Sequence, residues 1–430
     1  MKTHARAAVA VACIAALSSS SAIADEVVGY YPGWKSADFP VTAANVDVGK
    51  LTMALYAFID VCWDGKHGNP EPSVNYEAPC QDAAGDKVSP NGALVFRDAA
   101  LDGANLRALV ALKKRNPAFK VVVSVGGWDW SNQFSNVADS PAARANFVAS
   151  SVKLMRRFGL DGVDIDWEYP TEIGVPCVAG RVCVRPQDKP NYIKLVRELR
   201  TAFDAAGKKD GKHYSVTIAA GGGASFISDG AAGTAWIREL SQSLDWINIM
   251  SYDYHTPSAR NNGHLAALGA DAEDARSANG AHAEDSVRRY LAAGIAPDKL
   301  VMGVPFYGYG WRGCAAGPKG DGQYQPCEGG ATGGVGGSNA YGFSYLQKQG
   351  ILTPAFEGGK GYRRYWNASA KVPYLYNAKE RMWISYEDQQ SLKEKARYIK
   401  AQKLRGAMFW ELSADGEHQL LEILSTAMRP

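Results

Sequence analysis

Apolar and β-branched residues gather into eight short runs along the chain, at 27–31, 51–59, 121–126, 162–166, 214–219, 246–250, 300–305 and 406–410. The stretches between them read differently. Residues 101–114, 191–206, 283–293, 389–403 and 417–428 carry apolar positions at helical spacing, and 141–158 opens with Ser140 as N-cap and Pro141 in the first helical position. Strand and helix in alternation imply parallel strands joined by crossover helices. Eight such units suggest a closed barrel, whereas a doubly wound open sheet accounts for the same alternation if a topological switch point is present. The expected fold is therefore α/β, a (β/α)8 TIM barrel.

Two segments break the rhythm. From about Tyr307 to Met382 the chain changes to Gly-rich turns, as at 329–337, and aromatic stretches such as 341–345, 362–366 and 372–376. Disordered segments are poor in aromatics, so a small folded α+β insertion is expected at 307–382, between strand 7 and helix 7. Residues 62–96, after the second strand, have the Pro, Gly and Asn density of an irregular loop.

The first 24 residues stand apart. Lys2 and Arg6 precede an apolar run at 7–17, and small residues close the segment at Ala22, Ile23 and Ala24. That is the charge, apolar core and A-x-A order of a secretory signal, and the run is too short to span a bilayer. A secreted, extracellular chain of residues 25–430 is expected, with no membrane association after removal of the leader. The formal net charge is +3 and includes Lys2 and Arg6, so the remainder is nearly balanced and lacks the basic footprint of a nucleic-acid binder.

Export changes the reading of the cysteines. Beyond Cys13 of the leader there are Cys62, Cys80, Cys177, Cys183, Cys314 and Cys327, in three local couples. Fifteen connectivities are formally open. Nearest-neighbour pairing, each bridge pinning one loop, fits an oxidising compartment. Compact Cys/His spacing for zinc is missing.

The fourth strand candidate belongs to the run DGVDIDWEYP, residues 161–170. With a period of two, Asp164, Asp166 and Glu168 share one face while Val163, Ile165 and Trp167 share the other. Asp161 has the opposite parity and reads as structural. Same-face neighbours lie roughly 6.5–7 Å apart at Cα, and three acids enclosed at that spacing cannot all ionise cheaply. A shared proton relieves them. The alternatives are a solvated acidic edge, against which the apolar Val, Ile and Trp speak, and a magnesium or calcium site.

On these residues the chain resembles the chitinase-type glycoside hydrolases of family 18. Their DxxDxDxE pattern corresponds to Asp161, Asp164, Asp166 and Glu168; their SxGG pattern to Ser124, Gly126 and Gly127, followed by Trp128. Two further motifs match, Met250-Ser251-Tyr252-Asp253 after the sixth strand and Met408-Phe409-Trp410-Glu411 on the eighth. The resemblance implies that Glu168 is the general acid/base and that Asp166, helped by Asp164, holds the substrate N-acetyl group as its carbonyl attacks C1. An oxazolinium ion and retention follow, with no protein nucleophile.

It further implies that Tyr252 binds the acetamide, that Asp253 helps hold a distorted sugar and that Trp410 floors the site. From residue type alone Trp410 also fits a core position, and Tyr252 and Asp253 a strand cap. The glycines at 126–127 read first as a packing device and only then as a wall of the cleft. Gly127, Met250 and the aromatics Tyr30, Phe58 and Trp128 complete the expected sugar-binding set, and the aromatics near the mouth also include Tyr31, Trp34, Trp63, Trp130, Tyr254, Trp311 and Trp383. Trp167 points away by parity. The expected substrate is chitin or chitooligosaccharides. No cofactor, metal or obligate protein partner is implied. Two alternatives stay open, an endo-β-N-acetylglucosaminidase acting on N-glycans and a non-catalytic chitin-binding, lectin-like protein. One position departs from the pattern: where many members carry arginine after GxPFYG, Tyr309 stands here.

Overall fold

A computed structural model describes residues 26–81, 85, 90–230 and 233–429. The leader expected at 1–24 lies outside the described residues. Eight strands, β1 (Glu26–Pro32), β2 (Met53–Val61), β3 (Lys120–Gly126), β4 (Gly162–Asp166), β5 (Ser215–Gly221), β6 (Trp246–Met250), β7 (Leu300–Pro305) and β8 (Gly406–Trp410), pair in parallel in sequence order. β1 closes the ring, since Val28 lies opposite Met53 of β2 on one side and Met408 of β8 on the other. A doubly wound sheet would leave two free edges, so the barrel is the fold.

Strand parity divides the side chains between two environments. Val27, Tyr31, Tyr56, Val123, Val163, Ile165, Ile218, Ile247 and Phe409 face outward into the main core, packed against the surrounding helices. Inside the barrel a smaller apolar cluster of Val28, Met53, Leu55, Val122, Trp246, Val301 and Met408 forms the floor. Ser124, Asp164, Thr217 and Asn248 make a buried polar layer above it. The chemistry thus gathers towards the C-terminal ends of the strands, as in barrel enzymes generally.

Local signals set the helix ends. Ser140 accepts a hydrogen bond from the Ala143 N–H ahead of Pro141–Phe158, and Gly159 ends that helix in the left-handed region at φ 72°. Short helices at Phe134–Asp139, Ala224–Ile227 and Ala235–Ser241 carry too few turns to show in the periodicity. Asp161 sits beneath β4, accepting from the Val121 N–H at 2.8 Å and paired with Lys113 and Lys212, a structural place as its parity suggested.

The insertion is an antiparallel sheet that begins at Tyr307–Arg312 and continues through Ala340–Gly342, Arg363–Asn367, Val372–Asn377 and Met382–Ser385, with a helix at Phe343–Lys348. It has its own core of Trp311, Tyr374, Tyr376 and Trp383 beside Cys314. Trp311 and Trp383 are therefore not mouth residues. The segment 62–96 is also less irregular than expected: Lys66–Asn69 and Tyr76–Pro79 form an antiparallel hairpin, and Leu94–Val95 pairs with the end of β2. The six cysteines pair with their neighbours, Cys62 with Cys80, Cys177 with Cys183 and Cys314 with Cys327.

Candidate active site

The acids of β4 rise from the polar layer towards the mouth. Asp164 is fully buried and accepts four hydrogen bonds: from Thr217 at 2.6 Å and Asn248 at 3.2 Å on Oδ1, and from Ser124 at 2.8 Å and Tyr30 at 3.1 Å on Oδ2. Those donors come from β5, β6, β3 and β1, so four strands converge on one carboxylate. Asp166, one pleat on, has a buried Oδ1 with no hydrogen-bond partner. Glu168 lies beyond the strand end, where its N–H donates to Ser131 Oγ at 2.8 Å. Ser131 Oγ in turn lies 2.9 Å from Gly127 O and 3.2 Å from Asp166 O, which ties the chain on both sides of Glu168 to the end of β3.

Burial and mutual repulsion govern these groups. Desolvation, then the charges of Glu168 and Asp164, push Asp166 well above the usual carboxylate range. Glu168 is pushed up to about 8, chiefly by burial, with Asp253 and Asp129 adding to it and a hydrogen bond from the Tyr169 side chain opposing it. Burial also raises Asp164, against the pull of its four donors. At neutral pH the ladder can therefore retain protons at Glu168 and Asp166, which is what a proton donor at a strand end requires.

A second set of groups comes from β6, β7 and β8. Tyr252 follows β6, its phenol held neutral by burial first and by the surrounding carboxylates second. Its ring has room because Gly303 of β7 has no side chain: a Cβ there would stand 2.9 Å from the Tyr252 ring and 2.3 Å from Ile249 O. Asp253, next to it and open to the groove, accepts from Tyr307 at 2.6 Å and Tyr309 at 3.3 Å, and desolvation by the surrounding walls pushes its carboxyl up to about 6. Trp410 at the end of β8 stacks on Phe58 at 5.6 Å, which stacks in turn on Trp34 at 6.0 Å, and Tyr30 lies 5.2 Å from Trp410. These rings form one aromatic surface beside the acids.

Around this centre runs an open groove of about 1650 Å³, lined by Asp166, Glu168, Tyr252, Asp253 and Met250 at its base and by Tyr30, Phe58, Trp128 and Trp410 along one part. The insertion supplies Tyr307, Tyr309, Val335, Ala340, Ser344, Tyr345 and Lys348 as a wall. Flat aromatic faces, phenols and carboxylates over such a volume suit a carbohydrate chain, whose rings offer apolar faces and hydroxyl edges.

A model of the Glycosyl hydrolases family 18 matches residues 26–415, nearly all of the barrel and its insertion. The chain belongs to family 18 of the glycosyl hydrolases. This family 18 chain is 41% identical over 411 residues to Chitinase A1 of Niallia circulans, covering 91% of itself and 56% of that protein. It thus spans a little over half the length of that relative. It is 33% identical to Chitinase B of Serratia marcescens over 358 residues, 72% of this chain and 67% of the other. Among solved structures, Chitinase ChiA74 from Bacillus thuringiensis superposes with a TM-score of 0.84 at 36% identity, covering 94% of this chain and 70% of that one.

In the family 18 barrel most of the residues expected at the site come together. Asp164, Asp166, Glu168, Tyr30, Tyr252, Asp253, Met250, Phe58, Trp128 and Trp410 converge as described. Gly127 does not line the groove. It is buried with φ 84°, and a Cβ there would stand 2.4 Å from the Phe58 ring, so it seats that ring. Tyr31, Trp130 and Trp167 are core residues, Trp167 packing on Phe134 and Tyr192, and Trp63 packs against the main core. Tyr254 lines the groove. The sequence reading missed Tyr307 and Tyr309, which hold Asp253, and Thr217 and Asn248, which hold Asp164. For the latter pair the signal was available: strand parity marks both as inward polar residues on β5 and β6.

Proposed function

We propose that this family 18 enzyme is a retaining chitinase that hydrolyses β-1,4 links between N-acetylglucosamine residues in chitin and its oligomers. The observation that carries the reading is the contrast along β4, a saturated Asp164, an unpartnered Asp166 and a proton-retaining Glu168, at the base of an aromatic groove. The matched relatives named as chitinases support it. The three disulfides favour work in an oxidising, extracellular setting after export.

In this mechanism a sugar lies on Trp410 with its acetamide towards Asp166 and Tyr252. Glu168 gives its proton to the glycosidic oxygen as the C1–O bond breaks. The acetamide carbonyl oxygen forms the new bond to C1, and Asp166 accepts a hydrogen bond from the acetamide N–H, balancing the positive charge of the oxazolinium ion. Tyr252 donates to the acetamide oxygen and fixes its line of attack. Water then adds to C1 from the vacated face, its proton returns to Glu168 and the ring opens, so the anomeric configuration is retained. Asp164, itself raised by burial, takes up the proton that Asp166 releases on turning to the acetamide, so Asp166 meets the oxazolinium ion as a carboxylate.

The test is hydrolysis of an N-acetylglucosamine oligomer beside its fully deacetylated counterpart, with the products mapped by size. The reading expects cleavage of the acetylated chain only. Equal turnover of both removes the acetamide from the mechanism, and release of high-mannose glycan with chitin oligomers left intact assigns the groove to N-glycans instead.

A further inference from the structure

Asp253 is a groove carboxylate that, among the described residues, pairs with phenols and with no lysine or arginine. It follows β6 in the left-handed region at φ 59°, beside Tyr252, and its charge bears on Glu168. Both of its oxygens are taken by phenols from the first strand of the insertion, Tyr307 on Oδ1 at 2.6 Å and Tyr309 on Oδ2 at 3.3 Å. The two tyrosines alternate with Gly308 on that strand, so they share its groove face, and their rings meet edge-on at 5.4 Å. The groups acting on Asp253 are thus Tyr252 from its own strand end, Glu168 from beyond β4, and Tyr307 and Tyr309 from the insertion; neither lysine nor arginine contributes to its balance.

We infer that Tyr307 and Tyr309 are positioning residues that act through Asp253, a phenol clamp by which the insertion orients this carboxylate in the groove and favours its charged form. The inference rests on the proposed reaction, in which Asp253 helps hold a distorted sugar. A phenol donates one neutral hydrogen bond, which favours the carboxylate without cancelling its charge, while an arginine would both bind and neutralise it. The clamp therefore holds Asp253 below where desolvation by the groove walls alone would leave it. It also leaves a negative charge facing Glu168. The insertion, in this view, sets the acid limb of the reaction as well as walling the groove.

The experiment follows the carboxyl resonance of Asp253 by carbon NMR, and the pH profile of kcat/KM on an N-acetylglucosamine oligomer, in wild type and in Tyr309→Phe, Tyr307→Phe and Tyr309→Arg. The phenylalanine variants keep the ring packing, and thermal melting confirms that each variant folds. Loss of one phenol donor is expected to raise the Asp253 titration, and with it the acid limb, by roughly half a pH unit, more for Tyr307 than for Tyr309. Arginine at 309 moves both below the wild-type position. An Asp253 titration unchanged across the three variants overturns the inference, as does an acid limb that stays fixed while the carboxyl titration moves. If wild type cleaves no oligomer, the proposed reaction fails while the NMR titration still decides whether the clamp sets the charge.

Discussion

Asp164 and Asp166 project from the same face of β4 one pleat apart, and donors meet only the first: Asp164 receives four hydrogen bonds, while Asp166 Oδ1 receives none. Two like residues are thus given different tasks by their surroundings. Asp164 can hold charge in the dark of the barrel because its lone pairs are filled. Asp166, with a lone pair left open and charges on either side, is set to hold a proton or to turn towards a new partner.

Replacing Asp164 by alanine leaves the side chains of Tyr30, Ser124, Thr217 and Asn248 facing an empty acceptor site inside the barrel. Buried polar groups stripped of partners cost about 1–3 kcal/mol each when no water replaces them. A loss of at least about 4 kcal/mol is expected, read from denaturant unfolding. A loss below about 0.5 kcal/mol would mean that the four donors find other acceptors and that the polar layer is not held by this carboxylate.

Glu168 makes a prediction about stability as well as rate. Its carboxyl is raised from an ordinary 4.5 to about 8, so between those values the unfolded chain has released a proton that the folded chain keeps. Wild type therefore loses stability as pH climbs through that window, and the loss levels off above about 8. Glu168→Gln, which cannot ionise, should show no such loss. Its melting temperature relative to wild type should rise steadily from pH 5 to pH 8 and then hold. A constant difference across that range would show that Glu168 gives up its proton as readily as in the unfolded chain.

Trp128 stands 51% exposed at the groove, and what seats it is a glycine in the loop after Glu168. A Cβ on Gly174 would lie 2.3 Å from the Trp128 ring, and the three atoms nearest to it all belong to that ring. Gly174→Ala should therefore push the ring off its seat without unfolding the barrel. Trp128→Ala is expected to raise KM for long oligomers about tenfold, a ring face being worth roughly 1–1.5 kcal/mol, and Gly174→Ala to give a smaller rise in the same direction. Both should leave short oligomers less affected. An unchanged KM for Gly174→Ala beside a raised one for Trp128→Ala would separate the ring from its seat.

What the sequence disclosed followed from periodicity. Eight apolar runs and the parity of Asp164, Asp166, Glu168 and Trp167 require only the alternation of a strand, and they led to the barrel, its inward acids and its outward tryptophan. What stayed hidden depends on pairs far apart in the chain. Nothing near Asp253 announces that Tyr307 and Tyr309 will reach it, 54 and 56 residues on. Trp311 and Trp383 looked like mouth residues because an aromatic's type does not say which core it joins. Gly127 read first as a packing device, but the ring it packs against, Phe58, is invisible until the chains meet. The hairpin in 62–96 was masked by turn residues that serve a tight antiparallel ladder as readily as a loop.

The central claim is that Glu168 carries the proton in a reaction whose nucleophile belongs to the substrate. Hydrolysis of an N-acetylglucosamine oligomer by purified Glu168→Gln against wild type, at a pH below 8 where Glu168 holds its proton, tests it most directly. The account predicts a fall in kcat of roughly 10²–10⁴-fold, the share that general acid–base catalysis supplies, with oligomer binding preserved. Turnover by the glutamine variant at the wild-type rate would contradict it.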